Sequence, residues 1–232
     1  MTGRRPLRIV GWIAIGLVGL FAVWIGAAFL VYPNDYVVRV LAWRESDVDD
    51  YLHHFTHSPL TASSEPFVLP QAGEAERERA RETLAAVYDT DDFDGFLDGT
   101  GTQAFIAIQD DRIVYEHYGD GWQRDSLLTS FSVAKSFVST LVGIAIHEGH
   151  LGGLDDAVTE YLPELAERDE RFESVTIRDL LTMSSGLDYE ENRWWLFNGD
   201  DPLTTYHPDQ RDLALTNTHV ERPPAEVFSY NK

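Results

Sequence analysis

The longest apolar run of the chain lies near its amino terminus. From Ile9 to Tyr32 the 24 residues include no charged side chain, and three arginines precede them: Arg4, Arg5 and Arg8. As a helix rising ~1.5 Å per residue, such a run spans the ~30 Å hydrocarbon core of a bilayer. We therefore predict a basic cytoplasmic head at residues 1–8, a transmembrane signal-anchor helix at 9–32 and an extracytoplasmic remainder. The protein would be a single-pass protein of the cell membrane.

A cleaved signal peptide is the alternative interpretation of this run. Ala27 and Ala28 supply small residues for a cleavage site. Signal peptides, however, have a shorter apolar region of ~7–15 residues. The length of the run therefore favours the anchor.

Two shorter patterns predict regular structure in the middle of the chain. The segments TQAFIAIQ and RIVYEHYGDG flank Asp110 and Asp111, which predicts an antiparallel hairpin over residues 102–118. From Ser132 to Ile146 the apolar residues point in nearly every helical direction, and Gly149 follows. A helix that is apolar all round is typical of a buried position, so we expect this one to be buried and to end near Gly149.

Polar segments add weaker predictions. The charged stretch Glu74–Asp89 favours a surface helix. Residues 89–101 are acidic but lack the spacing and closing glutamate of a calcium loop, so they are interpreted as a turn-rich loop. Thr176 and Asp179 have the spacing of a capping box, which predicts the start of a further helix.

Composition narrows the classes of function. The 232 residues include no cysteine, which excludes disulfides, thiol catalysis and cysteine-bound zinc. The net charge of −21 disfavours a nucleic-acid partner. The histidines at 53, 54 and 57 have helical spacing, but no third ligand accompanies them at a recognisable distance. We expect neither a metal nor a cofactor.

One lysine stands out in this composition. The chain has only two lysines, Lys135 and Lys232, and Lys135 lies inside the apolar helix, three residues after Ser132. Residues at i and i+3 share a helix face, so the amine can reach the serine hydroxyl. Burial favours the neutral form of a lysine, which can then take a proton, whereas arginine does not deprotonate. The alternative is a lysine that extends from a core helix to solvent.

Three stretches carry a resemblance to a known family: SFSVAKSFVSTLVGIAIHEG, VTEYLPEL with VTIRDLLTMSSGLDY, and PPAEVFSYNK. They resemble the serine β-lactamase-related hydrolases, which include class C β-lactamases, D-alanyl-D-alanine peptidases, esterases and 6-aminohexanoate-oligomer hydrolases. The resemblance implies an α+β fold of the β-lactamase/transpeptidase type, an antiparallel sheet packed with helices. It also implies the site residues: Ser132 as nucleophile and backbone oxyanion donor, Lys135 as base, Tyr230 as second acid/base and Asn231 as a substrate contact. Ser184 and Ser185 are not implied as nucleophiles.

The sequence departs from the family pattern in two places. The family's asparagine stands two residues after the tyrosine, where this chain has Lys232, and Asn231 is adjacent to Tyr230. The family's third motif, a lysine or histidine followed by glycine on an edge strand, does not follow, and the similar triplet at His147 is interpreted as a helix C-cap. We therefore expect a connector with N-terminal helices at 33–98 and, at 99–232, a partial hydrolase domain without the C-terminal strands.

The functional hypothesis is a membrane-anchored serine hydrolase. It would cleave a small ester, amide or peptide through an acyl-enzyme on Ser132. Because the second oxyanion donor would come from the third motif, the 232-residue chain is expected to be a poor catalyst. The alternatives are a truncated or degenerate non-catalytic relative, and a true β-lactamase or cell-wall D,D-peptidase.

Overall fold

A computed structural model describes residues 4–43, 47, 48, 50, 55, 58–190 and 200–231. The histidines at 53, 54 and 57, for which no metal site was expected, and Lys232 lie outside the described residues. The chain forms two compact units, one of residues Val48–Thr129 and one of Met1–Asp47 with Ser130–Lys232. In chain order the elements are α1 (Arg4–Val31), α2 (Asn34–Trp43), α3 (Glu74–Val87), α4 (Phe93–Gly99), β1 (Ala104–Gln109), β2 (Arg112–Tyr118), α5 (Ala134–His147), α6 (Pro163–Arg168), α7 (Ile177–Leu181), α8 (Asp200–Tyr206) and α9 (Gln210–Asn217).

The predicted hairpin is present in the unit of residues 48–129. β1 and β2 pair antiparallel from Ala104–Tyr118 to Gln109–Arg112. Asp110 and Asp111 form the connecting turn with φ of 50° and 58°. Positive φ at both central residues is the type I′ geometry, whose twist matches that of the paired strands. Within the described residues the hairpin is a two-stranded sheet.

Residues 89–101 contain a helix, so the predicted turn-rich loop is wrong. Asp92 caps α4, since its carboxylate accepts a hydrogen bond of 3.0 Å from the Gly95 N–H. Phe93 and Leu97 of this helix are buried with Tyr115 of β2. Burial of these large side chains outweighs the poor helix propensity of the glycines and aspartates. The neighbouring helix α3 has no buried residue among its described members, which agrees with its predicted place on the surface.

The N-terminal apolar run is a helix, as predicted. Residues Ile9–Val31 of α1 have a mean hydropathy of 2.4, and the helix is long and apolar enough to span a membrane. Two residues, Tyr32 and Pro33, separate α1 from α2. Tyr36 and Val37 of α2 are fully buried, so this part of the predicted connector packs as an integral helix.

The predicted apolar helix after Ser132 is present, but its predicted burial is wrong. A 3₁₀ turn at Phe131–Val133 leads into α5, and Gly149, with φ of 77°, follows its end. No residue of α5 is buried, and Phe137 is 67% exposed. An apolar helix is buried only where other elements cover its sides, and the described residues leave most of α5 uncovered. Periodicity alone could not reveal this.

One hydrophobic cluster in the unit that holds α5 centres on the segment containing α6 and α7. Its buried residues are Val158, Leu165, Phe172, Val175 and Val220. The predicted capping box opens α7: the Thr176 hydroxyl accepts from the Asp179 N–H at 3.2 Å, and the Asp179 carboxylate accepts from the Thr176 N–H at 2.9 Å. This segment is therefore both packed and capped.

Candidate active site

Ser132 lies in the 3₁₀ turn that leads into α5, where the predicted nucleophile was expected. Its side chain is exposed. The preceding residue, Phe131, has φ of 45°, a left-handed conformation that is uncommon for a residue other than glycine. Such backbone strain clusters at active sites and ligand clamps, where the surrounding structure maintains it. The turn presents the Ser132 hydroxyl at the N-terminal end of a helix.

Lys135 follows one helical turn later and reaches the serine. Its Nζ donates a hydrogen bond of 3.4 Å to the Ser132 Oγ. The side chain is half-buried rather than buried, because α5 itself is exposed. The expected desolvation of the ammonium is therefore only partial in this structure.

Tyr230 joins the pair from 98 residues further along the chain. Its hydroxyl donates a hydrogen bond of 2.7 Å to the Ser132 Oγ. The Lys135 Nζ lies 5.0 Å from the centroid of the Tyr230 ring, within the range of a cation–π contact. The structure thus brings together the three side chains that the motifs singled out. A serine oxygen with a lysine amine and a tyrosine hydroxyl within hydrogen-bond reach is an arrangement suited to proton transfer.

Backbone pairing explains how Tyr230 reaches Ser132. The segment before Tyr230 lies along residues 183–188. The Ser229 N–H donates to the Met183 carbonyl at 2.8 Å, and the Ala225 N–H donates to the Ser184 carbonyl at 2.8 Å. These bonds fix the path of the chain directly ahead of the tyrosine.

Gly186 lies directly against the segment before Tyr230. Its carbonyl accepts from the Glu221 N–H at 2.9 Å, and its φ is 72°. A Cβ at this position would overlap the Arg222 carbonyl oxygen. Only glycine combines this conformation with this contact. Ser184 and Ser185 were not implied as nucleophiles, and the backbone here instead pairs with the segment that carries Tyr230.

A pocket of about 340 Å³ adjoins the cluster. Lys135 and Asn231 contribute to its lining. Leucines, a methionine and polar side chains complete the wall: Leu180, Met183, Ser185, Leu187, Asp188, Tyr189, Asp200, Leu203, Thr204, Gln210, Leu213, Ala214, Asn217 and Thr218. The lining combines apolar surface with two carboxylates.

Sequence reasoning missed the walls that α8 and α9 contribute. Asp200, Leu203 and Thr204 lie on α8, and Leu213 lies on α9. The only local signal was Asp209, whose carboxylate accepts from the Asp212 N–H at 2.9 Å and caps α9. A cap predicts that a helix begins, but not what the helix packs against.

No group of three or more metal-ligating side chains occurs in the described part of the chain. The chemistry of the cluster is that of a hydroxyl, an amine and a phenol.

Comparison with known proteins assigns the family. Residues 91–232 match the Beta-lactamase family, and the chain belongs to it. The chain is similar to the 6-aminohexanoate-dimer hydrolase of Paenarthrobacter ureafaciens, with 33% identity over 139 residues. That alignment covers 60% of this chain and 33% of the relative, so the chain spans about a third of the length of the curated relative it matches.

Proposed function

We propose that the chain is a membrane-anchored serine hydrolase that cleaves an ester or amide through an acyl-enzyme on Ser132. The observation that carries the proposal is the convergence of two donors on one hydroxyl. The Ser132 Oγ lies 2.7 Å from the Tyr230 hydroxyl and 3.4 Å from the Lys135 Nζ. Membership of the Beta-lactamase family supports hydrolysis.

The proposed reaction has two stages, acylation and deacylation. In acylation, Lys135 in its neutral form takes the proton of Ser132, and the Oγ forms a bond to the substrate carbonyl carbon. The Ser132 backbone N–H stabilises the oxyanion that develops. Tyr230 donates a proton to the leaving alcohol or amine as its bond to the carbonyl carbon breaks, and it recovers a proton from Lys135. In deacylation, water loses a proton to the same pair and displaces Ser132, which regains its proton.

A linear amide with a basic end is the substrate class that we favour. The pocket offers leucine and methionine side chains to a methylene chain, and Asp188 and Asp200 to an ammonium group. The relative's name gives the 6-aminohexanoate dimer as the substrate of that protein, and a compound of this kind has both features. Asn231, which also lines the pocket, would donate to the substrate amide.

We further propose that α1 anchors the protein with its amino terminus in the cytoplasm. The basic head forms the amino-terminal end of α1, with Arg4, Arg5 and Arg8 ahead of the uncharged run, whereas Arg39 is the first basic residue after α1. Arginines close to one end of a single span favour the orientation with that end in the cytoplasm. Protease added to spheroplasts should degrade the domain, and complete protection would contradict this orientation.

Active-site labelling tests the serine assignment. The full chain would be purified in detergent and treated with a fluorescent fluorophosphonate. We expect labelling that is absent in Ser132→Ala and at least ~10²-fold slower in Lys135→Ala and Tyr230→Phe, the usual contribution of an acid or base. Ser185→Ala is the matched control, because Ser185 is a buried serine that also lines the pocket. Labelling that persists in Ser132→Ala would refute the assignment.

Measuring the hydrolysis of three different substrates distinguishes the proposed hydrolase from the β-lactamase alternative. The 6-aminohexanoate dimer, a short-chain nitrophenyl ester and a chromogenic cephalosporin would each be offered to the purified chain before any labelling. We expect hydrolysis of the dimer and the ester, each lost in Ser132→Ala. Hydrolysis of the cephalosporin alone would instead establish the β-lactamase alternative.

A further inference from the structure

The helix that follows the apolar span packs against a wall of the pocket. On α2, the Arg39 Nη1 donates to the Tyr206 carbonyl of α8 at 3.3 Å. The Trp43 ring meets the Tyr206 ring edge-on at 6.0 Å. Tyr206 is 4% exposed, so the contact is part of the interior. Since α8 also lines the pocket, α2 supports the pocket wall from behind.

The connection from α1 to α2 is short and ordered. The Tyr32 N–H donates to the Ala28 carbonyl at 2.9 Å, and the Val37 N–H donates to the Pro33 carbonyl at 3.1 Å. The rings of Tyr32 and Tyr36 lie 5.2 Å apart across the junction. Proline restricts the backbone at this point. The junction is therefore unlike a flexible linker.

These contacts limit how far the pocket can lie from a membrane. If α1 spans a bilayer, α2 starts at the boundary, two residues after its end. A helix of 10 residues is ~15 Å long, and packed helices lie ~8–10 Å apart. The α8 wall is then within roughly one helix length of the lipid headgroups.

Apolar side chains are exposed beside the candidate nucleophile. Phe131 is 49% exposed and Val133 60% exposed, on either side of Ser132. Phe228, two residues before Tyr230, is 70% exposed. These side chains offer apolar contact to a chain that enters from a lipid surface. The net charge of −24 on the residues after Tyr32 disfavours anionic lipid and leaves neutral or zwitterionic lipid as the partner.

We propose that α2 holds the pocket at the surface of a neutral bilayer, and that the enzyme takes esters or amides that reside in that bilayer in preference to dissolved ones. The proposal rests on the proposed hydrolase function and on α1 as the anchor. It adds the bilayer surface as the source of the substrate and, among the esters and amides already proposed, favours amphiphilic ones.

A flexible insertion between Tyr32 and Pro33 tests the placement. A 20-residue Gly/Ser segment has a root-mean-square span of about 25 Å. The wild-type and inserted chains would be reconstituted in phosphatidylcholine vesicles. Two fluorogenic esters with the same reporter group would be compared, one short-chain and dissolved, one long-chain and embedded in the bilayer. The same segment inserted between Thr61 and Ala62, in an exposed stretch, is the matched control.

We expect the insertion after Tyr32 to lower kcat/KM for the embedded ester at least about fivefold, because the pocket can then move away from the bilayer surface. The value of kcat/KM for the dissolved ester should change by less than about twofold. The control insertion should change neither. An equal effect on both esters, or no effect on the embedded one, would overturn the proposal.

A distance measurement tests the placement of the pocket at the bilayer independently of enzymatic activity. The chain has no cysteine, so Thr216→Cys, at an exposed position of α9, accepts a single fluorophore. Energy transfer to a headgroup-labelled lipid should be high and should fall on insertion after Tyr32. Low transfer in the uninserted chain would refute the placement. Absence of hydrolysis of either ester, with high transfer, would instead refute only the hydrolase function and the substrate class that rests on it.

Discussion

Two regions of the same unit contribute to the candidate site, and they differ in how they are packed. Helix α5 carries Lys135 and follows Ser132, yet none of its residues is buried. The segment of α6 and α7 carries no reacting group, yet Phe172 and Val175 are 2% and 0% exposed. The sequence of α5 is the more apolar of the two, because residues 163–181 include nine charged side chains. The difference teaches that apolar composition predicts a need for burial, whereas burial itself depends on which elements pack nearby.

The largest expected effect compares two phenylalanines, one from each region. Phe172→Ala should cost about 3–5 kcal/mol of unfolding free energy, because it leaves a cavity in the core. Phe137→Ala, at a site 67% exposed, should cost under about 1 kcal/mol. Urea unfolding of both variants measures this. A cost for Phe137→Ala equal to that for Phe172→Ala would mean that α5 is covered in solution.

The next largest effect is expected from adding a side chain at Gly186. Gly186→Ala and Gly149→Ala share the strain of a positive φ, about 1–2 kcal/mol. Only at Gly186 does the added Cβ meet another segment, at the Arg222 carbonyl. We therefore expect Gly186→Ala to be the more destabilising by a further ~1–3 kcal/mol. It should also slow fluorophosphonate labelling, because the segment leading to Tyr230 must shift. Equal labelling rates for the two variants would show that this segment does not position Tyr230.

A smaller effect distinguishes the helix starts in the two regions. Thr176 caps α7 with its side chain, whereas Ser130 makes no capping hydrogen bond at the turn before α5. Thr176→Ala should cost about 1 kcal/mol and Ser130→Ala a few tenths at most. Thermal unfolding of the two variants measures the difference. A larger loss in Ser130→Ala would reveal a role for its hydroxyl that the structure does not contain.

The smallest effect depends on pH. The hydrogen bond from the Arg171 side chain lowers the pKa of Asp169 to about 2, from an ordinary value of 3.8. A lowered carboxyl pKa stabilises the fold above the ordinary value, and this stabilisation is lost as the pH falls through the folded value. Asp169→Asn should therefore be destabilising near pH 6, and its difference from wild type should shrink between about pH 4 and pH 2. A difference in melting temperature that stays constant over this range would contradict the assignment.

Features that follow from local periodicity were predicted correctly. The apolar helix α1, the hairpin with its turn at Asp110 and Asp111, and the capping box at Thr176 all depend on residues within a few positions of one another. The spacing of Ser132 and Lys135 belongs with them, since one helical turn brings the amine to the hydroxyl. Position 230 was implied by the family resemblance and not by spacing.

Features that depend on distant pairing were decided by the tertiary structure. The meeting of Tyr230 with Ser132 needs the backbone bonds between residues 183–188 and 219–229, which no local pattern encodes. Three other features also depend on residues far apart in the chain. They are the pocket walls that α8 and α9 form, the contact of α2 with Tyr206 and the exposure of α5. The amino-acid sequence by itself determined where α1, α5, the hairpin and the serine–lysine pair form, because each arises from interactions within a turn or two of chain. Only the tertiary structure decided which faces are covered and which side chains converge, because those contacts join residues far apart in the chain.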